Sequence, residues 1–516
     1  MVLRRSSAAF GRRARGFWMV ASIALVFSAA AFCMLCGARE ARGATETKPT
    51  CKRSLQKMVD AAPAGAILHV PGGCVYRETV VVNKPLTLEA GPGAEIRGSD
   101  VWRRWRREGS VWVSYASVPR FESGGYCRPG TDRCRWPEQV FIDGRPLEQV
   151  ASNPGPGQFA LDAGRHVILA NDPTGHAVEV TVRRYWVVGR SDDVTIEGFT
   201  MKYAANPAQT GALTNNGHSG WTVRGNNLSW AHGADLQLGG ARELLAVGNN
   251  IHHGGQLGIT GSRADLVVKD NRIHDNNTEG FDPRWEAGGM KNNHMIRLLA
   301  TGNDVYRNDP VGFWCDNGCN DATYSNNRIH GNARNGIHLE ISDHSKIFGN
   351  KIWRNGWSSR GSSFGQAGIL VSSCQNVDVY DNVLAWNNDG ITIVNQDRSQ
   401  AGGSNYDRVT GIKVHDNYII ARDHADGGIH TALAWVKAYP GGNIYEPSAD
   451  NHGYEDRYWF SSPEGADYRY KWGSNFKYLS DFNATPGEQR ARYLSALEER
   501  RVIRGAGIPN LPQGQR

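Results

Sequence analysis

From about residue 190 to 435 the chain alternates short apolar runs with turns rich in Gly, Asn and Asp. One kind of run follows an Asn that is preceded by a small or polar residue. It reads GNNL at Asn226, GNNI at Asn249, DNRI at Asn271, GNDV at Asn303, NNRI at Asn326, GNKI at Asn350, DNVL at Asn382 and DNYI at Asn417. The intervals are 23, 22, 32, 23, 24, 32 and 35 residues. A period of about 22 to 24, with insertions of about ten, is that of a solenoid gaining one coil per repeat. A second kind of run has the form Gly-apolar-x-apolar: GFWC at Gly312, GIHL at Gly336, GILV at Gly368 and GITI at Gly390. Alternation with period two is a strand with one buried face, and the Gly and Asn residues fall where the chain turns.

Leucine-rich repeats share this period but need regular Leu positions and helical segments, whereas these positions hold Ile, Val or Phe between Gly/Asn turns. A right-handed parallel β-helix fits the pattern. The recurring Asn then has a structural role, its amide hydrogen-bonding turn backbone in a ladder along the stack. Residues 101–189, with VFIDGRPLEQV and FALDAGRHVILANDP, read as short antiparallel strands forming a β-rich insertion, and coils resume at VTIEGFTMKYA. Residues 436–516 read as a C-terminal cap whose stretch TPGEQRARYLSALEERRV begins with Thr-Pro and predicts a terminal helix.

Composition adds two constraints. Glycine contributes 61 of 516 residues, well above the usual share of about 7%, without the strict period of collagen. The net charge of +7 lies mostly in residues 1–43, which carry seven Arg and one acid; the remaining 51 bases and 50 acids nearly cancel. That balance excludes a bulk nucleic-acid binder. The same segment places an apolar run, Phe17 to about Leu35, behind its Arg cluster, the layout of a signal peptide. Export follows, with removal near Gly43 or retention as an N-terminal anchor as the two outcomes; only retention makes the membrane a partner. In an oxidising compartment, spacing pairs Cys51 with Cys74, Cys127 with Cys134 and Cys315 with Cys319, leaving Cys374 free.

Repeats of this kind resemble the pectate-lyase-like superfamily of carbohydrate-active β-helices, over nearly all the chain beyond residue 43. The resemblance implies an N-terminal cap and first coils over residues 45–100, beginning with an amphipathic helix in SLQKMVDAAPAGAILHV. An open solenoid end is a sheet edge, and the helix covers it. The expected architecture is all-β: a right-handed parallel β-helix with a capping helix, a β-rich insertion and a C-terminal helix.

Registering each coil by its Gly assigns an outward column. Its second positions read Asp235, Thr260, Lys291, Trp314, His338, Leu370, Thr392 and His430, and its fourth positions include Asp316 and Glu340. Adjacent strands lie about 4.8 Å apart, so Asp316 and Glu340 stack as neighbouring carboxylates. Paired carboxylates can divide acid and nucleophile roles, and a spacing near 5 Å is that of retaining glycosidases. GFWCD (312–316) and GIHLE (336–340) resemble the catalytic strands of β-helix glycoside hydrolases of the β-xylosidase type. The resemblance implies Asp316 as nucleophile and Glu340 as general acid/base; His338 and Asn317 depart from the family's pattern. DPRWEAGGMKNNH (282–294) brings Arg284, Glu286 and Lys291 toward the same coils, with Trp285 or Trp314 as a stacking platform for a pyranose ring. His344 is a further supporting residue.

The expected partner is a polysaccharide or oligosaccharide, with no metal and no cofactor. Two alternatives stay open at this point. A polysaccharide lyase or epimerase would use Lys291 as base, with Arg284 or His294 assisting and Ca²⁺ on Asp282, Glu286 or Asp316. A carbohydrate-binding or adhesive solenoid needs only the polar face.

Overall fold

The structure, a computed structural model, describes residues 51–357, 365–398, 408–421 and 431–510. The signal-like segment and His430 lie outside the described residues. Short strands stack into three long sheets of 12, 13 and 13 strands among the described residues. The first runs from Ile67–Val70 to His452–Tyr454, the second from Val80–Val82 to Ser474–Phe476, the third from Val75–Tyr76 to Arg492–Tyr493. Pairing between coils is parallel, as in Met290↔Phe313 and Phe313↔Ile337, and one strand of each coil enters each sheet.

Alternation builds the core. In the second sheet Leu213, Leu236, Ile259, Met290, Phe313, Ile337, Ile369, Ile391 and Leu433 align in one column. None is more than 1% exposed. Burying each such side chain stabilises the coil by about 1.5–3 kcal/mol before entropy is counted.

Turns are fixed by amides. Asn226, Asn249, Asn271, Asn303, Asn327, Asn350, Asn382 and Asn417 form a continuous buried ladder in which each Oδ1 accepts from the preceding Asn backbone N–H and Nδ2. The member at the NNRI turn is thus Asn327, one residue beyond the expected Asn326. Asn326 is exposed and left-handed at φ 56°, so it supplies the bend while Asn327 supplies the bonds. A second ladder, absent from the sequence reading, joins Asn276, Asn308, Asn332, Asn355 and Asn387.

Both ends are closed by side chains. The helix Leu55–Ala61 starts at Ser54, whose Oγ accepts from Lys57 N, and buries Leu55, Met58 and Val59. Gln56 then pairs with the first strand of the second sheet: Val81 N donates to its Oε1 at 2.7 Å and its Nε2 donates to Val81 O at 3.1 Å. An exposed strand edge is thereby satisfied. At the other end the ladder terminates on Asp456, whose Oδ1 accepts from Asn417 N and Nδ2 at 2.7 and 3.0 Å. Glu488 lies against Asp456 and accepts from Tyr458 OH at 2.6 Å.

The terminal helix spans Ala496–Ala506 and starts at a Ser495–Glu498 capping box, not at Thr485-Pro486. The intervening Arg492–Tyr493 continues the third sheet, because pairing with Arg457 and Tyr458 outweighs its helical composition. Strands from Ser99 to Thr181 form two mainly antiparallel sheets beside the solenoid, while Val187–Gly189 already pairs in parallel with Val80–Val82. Disulfides join Cys51 to Cys74, Cys127 to Cys134 and Cys315 to Cys319, and Cys374 is free and buried.

Candidate functional site

The outward face of the second sheet carries the chemistry. Its column runs Gln237, Thr260, Lys291, Trp314, His338, Leu370, Thr392 and Ala434. Six positions agree with the expected register; Gln237 stands in place of Asp235 at its start, and His430 lies outside the described residues. Asp235 is fully buried, and burial raises its carboxyl well above the usual range.

Asp316 and Glu340 end adjacent strands, one position beyond the pair Cys315↔Leu339. Both line a cavity of about 350 Å³ with Arg284, Trp314, Arg334, His338 and Arg398. Each carboxylate has its own cation. Lys291 Nζ donates to Asp316 Oδ2 at 3.0 Å and lies 3.8 Å from Glu286 Oε1. Arg398 donates to Glu340 Oε1, and Trp314 Nε1 donates to Glu340 Oε2 at 3.2 Å. His338 Nε2 lies 3.6 Å from the same Oε2. Burial, reinforced by the charges of Lys291, Arg334 and Arg398, holds His338 well below the ordinary imidazole range, so it is neutral at pH 7.

Backbone chemistry fixes the strand ends. Cys315 points inward beside Phe313, and its disulfide to Cys319 closes the turn that follows Asp316. In the next coil Ser342 Oγ accepts from Cys319 N at 3.2 Å and donates to Glu340 O at 2.7 Å, tying the two turns together. Asp316 Oδ1 is buried without a hydrogen-bond partner among the described residues.

Trp314 does not offer a face to a sugar. Lys291 Nζ lies 3.6 Å from its ring centroid, and the His338 ring stacks at 5.2 Å and 16°. Trp285 packs instead against Phe281 and edge-on to Tyr126. Arg284 reaches the cavity while holding Asp282 with bonds of 2.8 and 3.2 Å. Asn317 and His344 are not among the cavity-lining residues: the Asn317 carbonyl accepts from His294 N, and His344 is exposed beside Asp343. Sequence reasoning missed Arg334 and Arg398. Arg334 lies in the turn before GIHLE and Arg398 follows the strand Asp389–Asn395, where no periodic signal distinguishes them.

The sequence matches the family described as right handed β-helix region over residues 210–382 and 291–431. The chain is a right-handed parallel β-helix. Among solved structures it is similar to XylC, determined in complex with xylose, at 16% identity and a TM-score of 0.57, covering 82% of this chain and 83% of that one. It is also similar to the mannuronan C-5 epimerase AlgE4 A-module of Azotobacter vinelandii, at 12% identity and a TM-score of 0.39, covering 81% and 94%. At 16% identity the likeness to XylC concerns the fold alone. No curated relative matches the chain.

Proposed function

We propose that this β-helix is an exported carbohydrate-active enzyme, a retaining glycoside hydrolase acting on a polysaccharide or its oligosaccharides. The observation that carries the reading is the pair Asp316 and Glu340, which end neighbouring strands in one cavity and are each oriented by separate donors. Asp316, held by Lys291, attacks the anomeric carbon, and Glu340 protonates the departing oxygen and then activates water. The chemistry requires neither metal nor cofactor. The three disulfides support folding in an oxidising compartment, and similarity to a protein determined in complex with xylose supports a sugar ligand.

A base that abstracts a sugar proton must reach it. Lys291 is 2% exposed and covered by Asp316 and Trp314, which disfavours it in that role. The test is incubation with a polysaccharide panel while following reducing ends and the absorbance of unsaturated uronates. Reducing ends that vanish in Asp316→Ala, with activated aryl glycosides still cleaved by Glu340→Ala, support the reading. An unsaturated product lost in Lys291→Ala replaces it with a lyase, and binding without cleavage replaces it with a carbohydrate-binding solenoid.

A further inference from the structure

Among the described residues, the carboxylates that line or border the cavity each have a cation. Asp316 is bonded to Lys291, Glu340 to Arg398, Asp282 to Arg284 and Asp309 to Arg128. Among the described residues that line the cavity, Arg334 is the guanidinium left over. It lines the cavity, and among the described residues its side chain makes no hydrogen bond or ion pair. Its backbone is anchored, since Arg334 N donates to Pro310 O at 2.7 Å, so the side chain projects from a fixed turn. Burial and the neighbouring Arg284 charge both disfavour the cation, and the opposing fields of Asp282 and Asp309 do not restore it.

A half-buried guanidinium with no bonded counter-ion costs free energy that a bound anion returns through charge-assisted bonds. The planar fork of arginine matches an oxyanion with two acceptor oxygens, which a neutral sugar hydroxyl does not supply. We infer that the sugar seated in this cavity carries an anionic substituent, a carboxylate or a sulfate ester, bound by Arg334. Arg334 is thus a specificity residue, and the cavity selects acidic over neutral glycans. The inference rests on the sugar-binding reading above but not on hydrolysis.

The test measures binding separately from turnover. Asp316→Ala full-length protein is titrated calorimetrically with matched trisaccharides: galacturonate against galactose, and sulfated against unsulfated galactose. The acidic member of at least one pair should bind at least tenfold more tightly, and the pair that shows it identifies carboxylate or sulfate. Adding Arg334→Gln should erase that preference while leaving neutral binding within about threefold, the loss expected when one partner of a charge pair is removed. The preference should also fall with added salt in the Arg334-containing protein, which keeps the test valid if the Arg334→Gln chain does not fold. Equal binding of acidic and neutral partners, or a preference that survives Arg334→Gln, overturns the inference. Tight acidic binding without cleavage by the wild-type chain upholds it and removes the hydrolase reading instead.

Discussion

Trp314 donates its indole N–H to Glu340 at 3.2 Å while Lys291 and His338 cover the two faces of its ring. The indole therefore acts as a rigid spacer between the two carboxylates, touching Glu340 directly and Asp316 through Lys291. Carboxylates on neighbouring strands are thereby kept in separate hydrogen-bond environments instead of sharing a proton.

Trp314→Phe keeps the stack and deletes the donor. On the hydrolase reading kcat should fall about tenfold to a hundredfold, the cost of one charge-assisted bond, with KM little changed. Thermal unfolding should stay within a few degrees of wild type. A variant with unchanged kcat removes Trp314 as a positioning residue.

Asn327 and Asn326 are adjacent but unequal. Asn327→Ala strips partners from Asn303 and Asn350 and from the Ala300 carbonyl, and should cost about 2–4 kcal/mol in urea unfolding. Asn326→Gly keeps the left-handed turn available and should stay within about 0.5 kcal/mol. Equal costs at the two sites would contradict the ladder.

At the C-terminal end, burial and the Asp456 charge raise Glu488 to about 10, and burial raises Asp456 as well. The folded chain thus holds more protons than the unfolded chain above the ordinary carboxylate range. Stability from this pair is complete at acid pH and declines as pH rises from about 5 toward 10, with a slope on the order of 1 kcal/mol per pH unit. Glu488→Gln should flatten that decline, measured by denaturant midpoints across the window. A slope unchanged in Glu488→Gln would show that other groups set it.

The solenoid was legible because its signals are periodic. One Asn and one Gly-led strand per coil give both the repeat and the outward column from Thr260 to Thr392. Errors arose where a turn offered two Asn residues, at Asn326 and Asn327, and at the start of the column, where Asp235 lies near a Gly but off register. The capping box at Ser495 was hidden by an earlier Thr-Pro. Arg334 and Arg398 were invisible for a different reason: both come from turns, where reach depends on local conformation and not on period. The closed faces of Trp314 likewise depend on neighbours in the coils before and after it.

Ladder spacing has a consequence for how this surface can diversify. Successive ladder bonds span 22 to 24 residues in plain coils but 32 between Asn276 and Asn308, and again between Asn355 and Asn387. The surplus lies between the ladder and the strands Gly288–Asn293 and Ala367–Ser372. Coil pitch is unaffected, because the amides on either side still meet at about 2.9 Å. The rim and the stack are therefore independent variables: residues can be added around the cavity while the strands that carry Asp316 and Glu340 keep their places. Substitution within segment 277–287 should accordingly reshape the rim at Arg284 while Asn276 and Asn308 keep the coil in register, provided Phe281 and Ala287 keep their packing against Cys134.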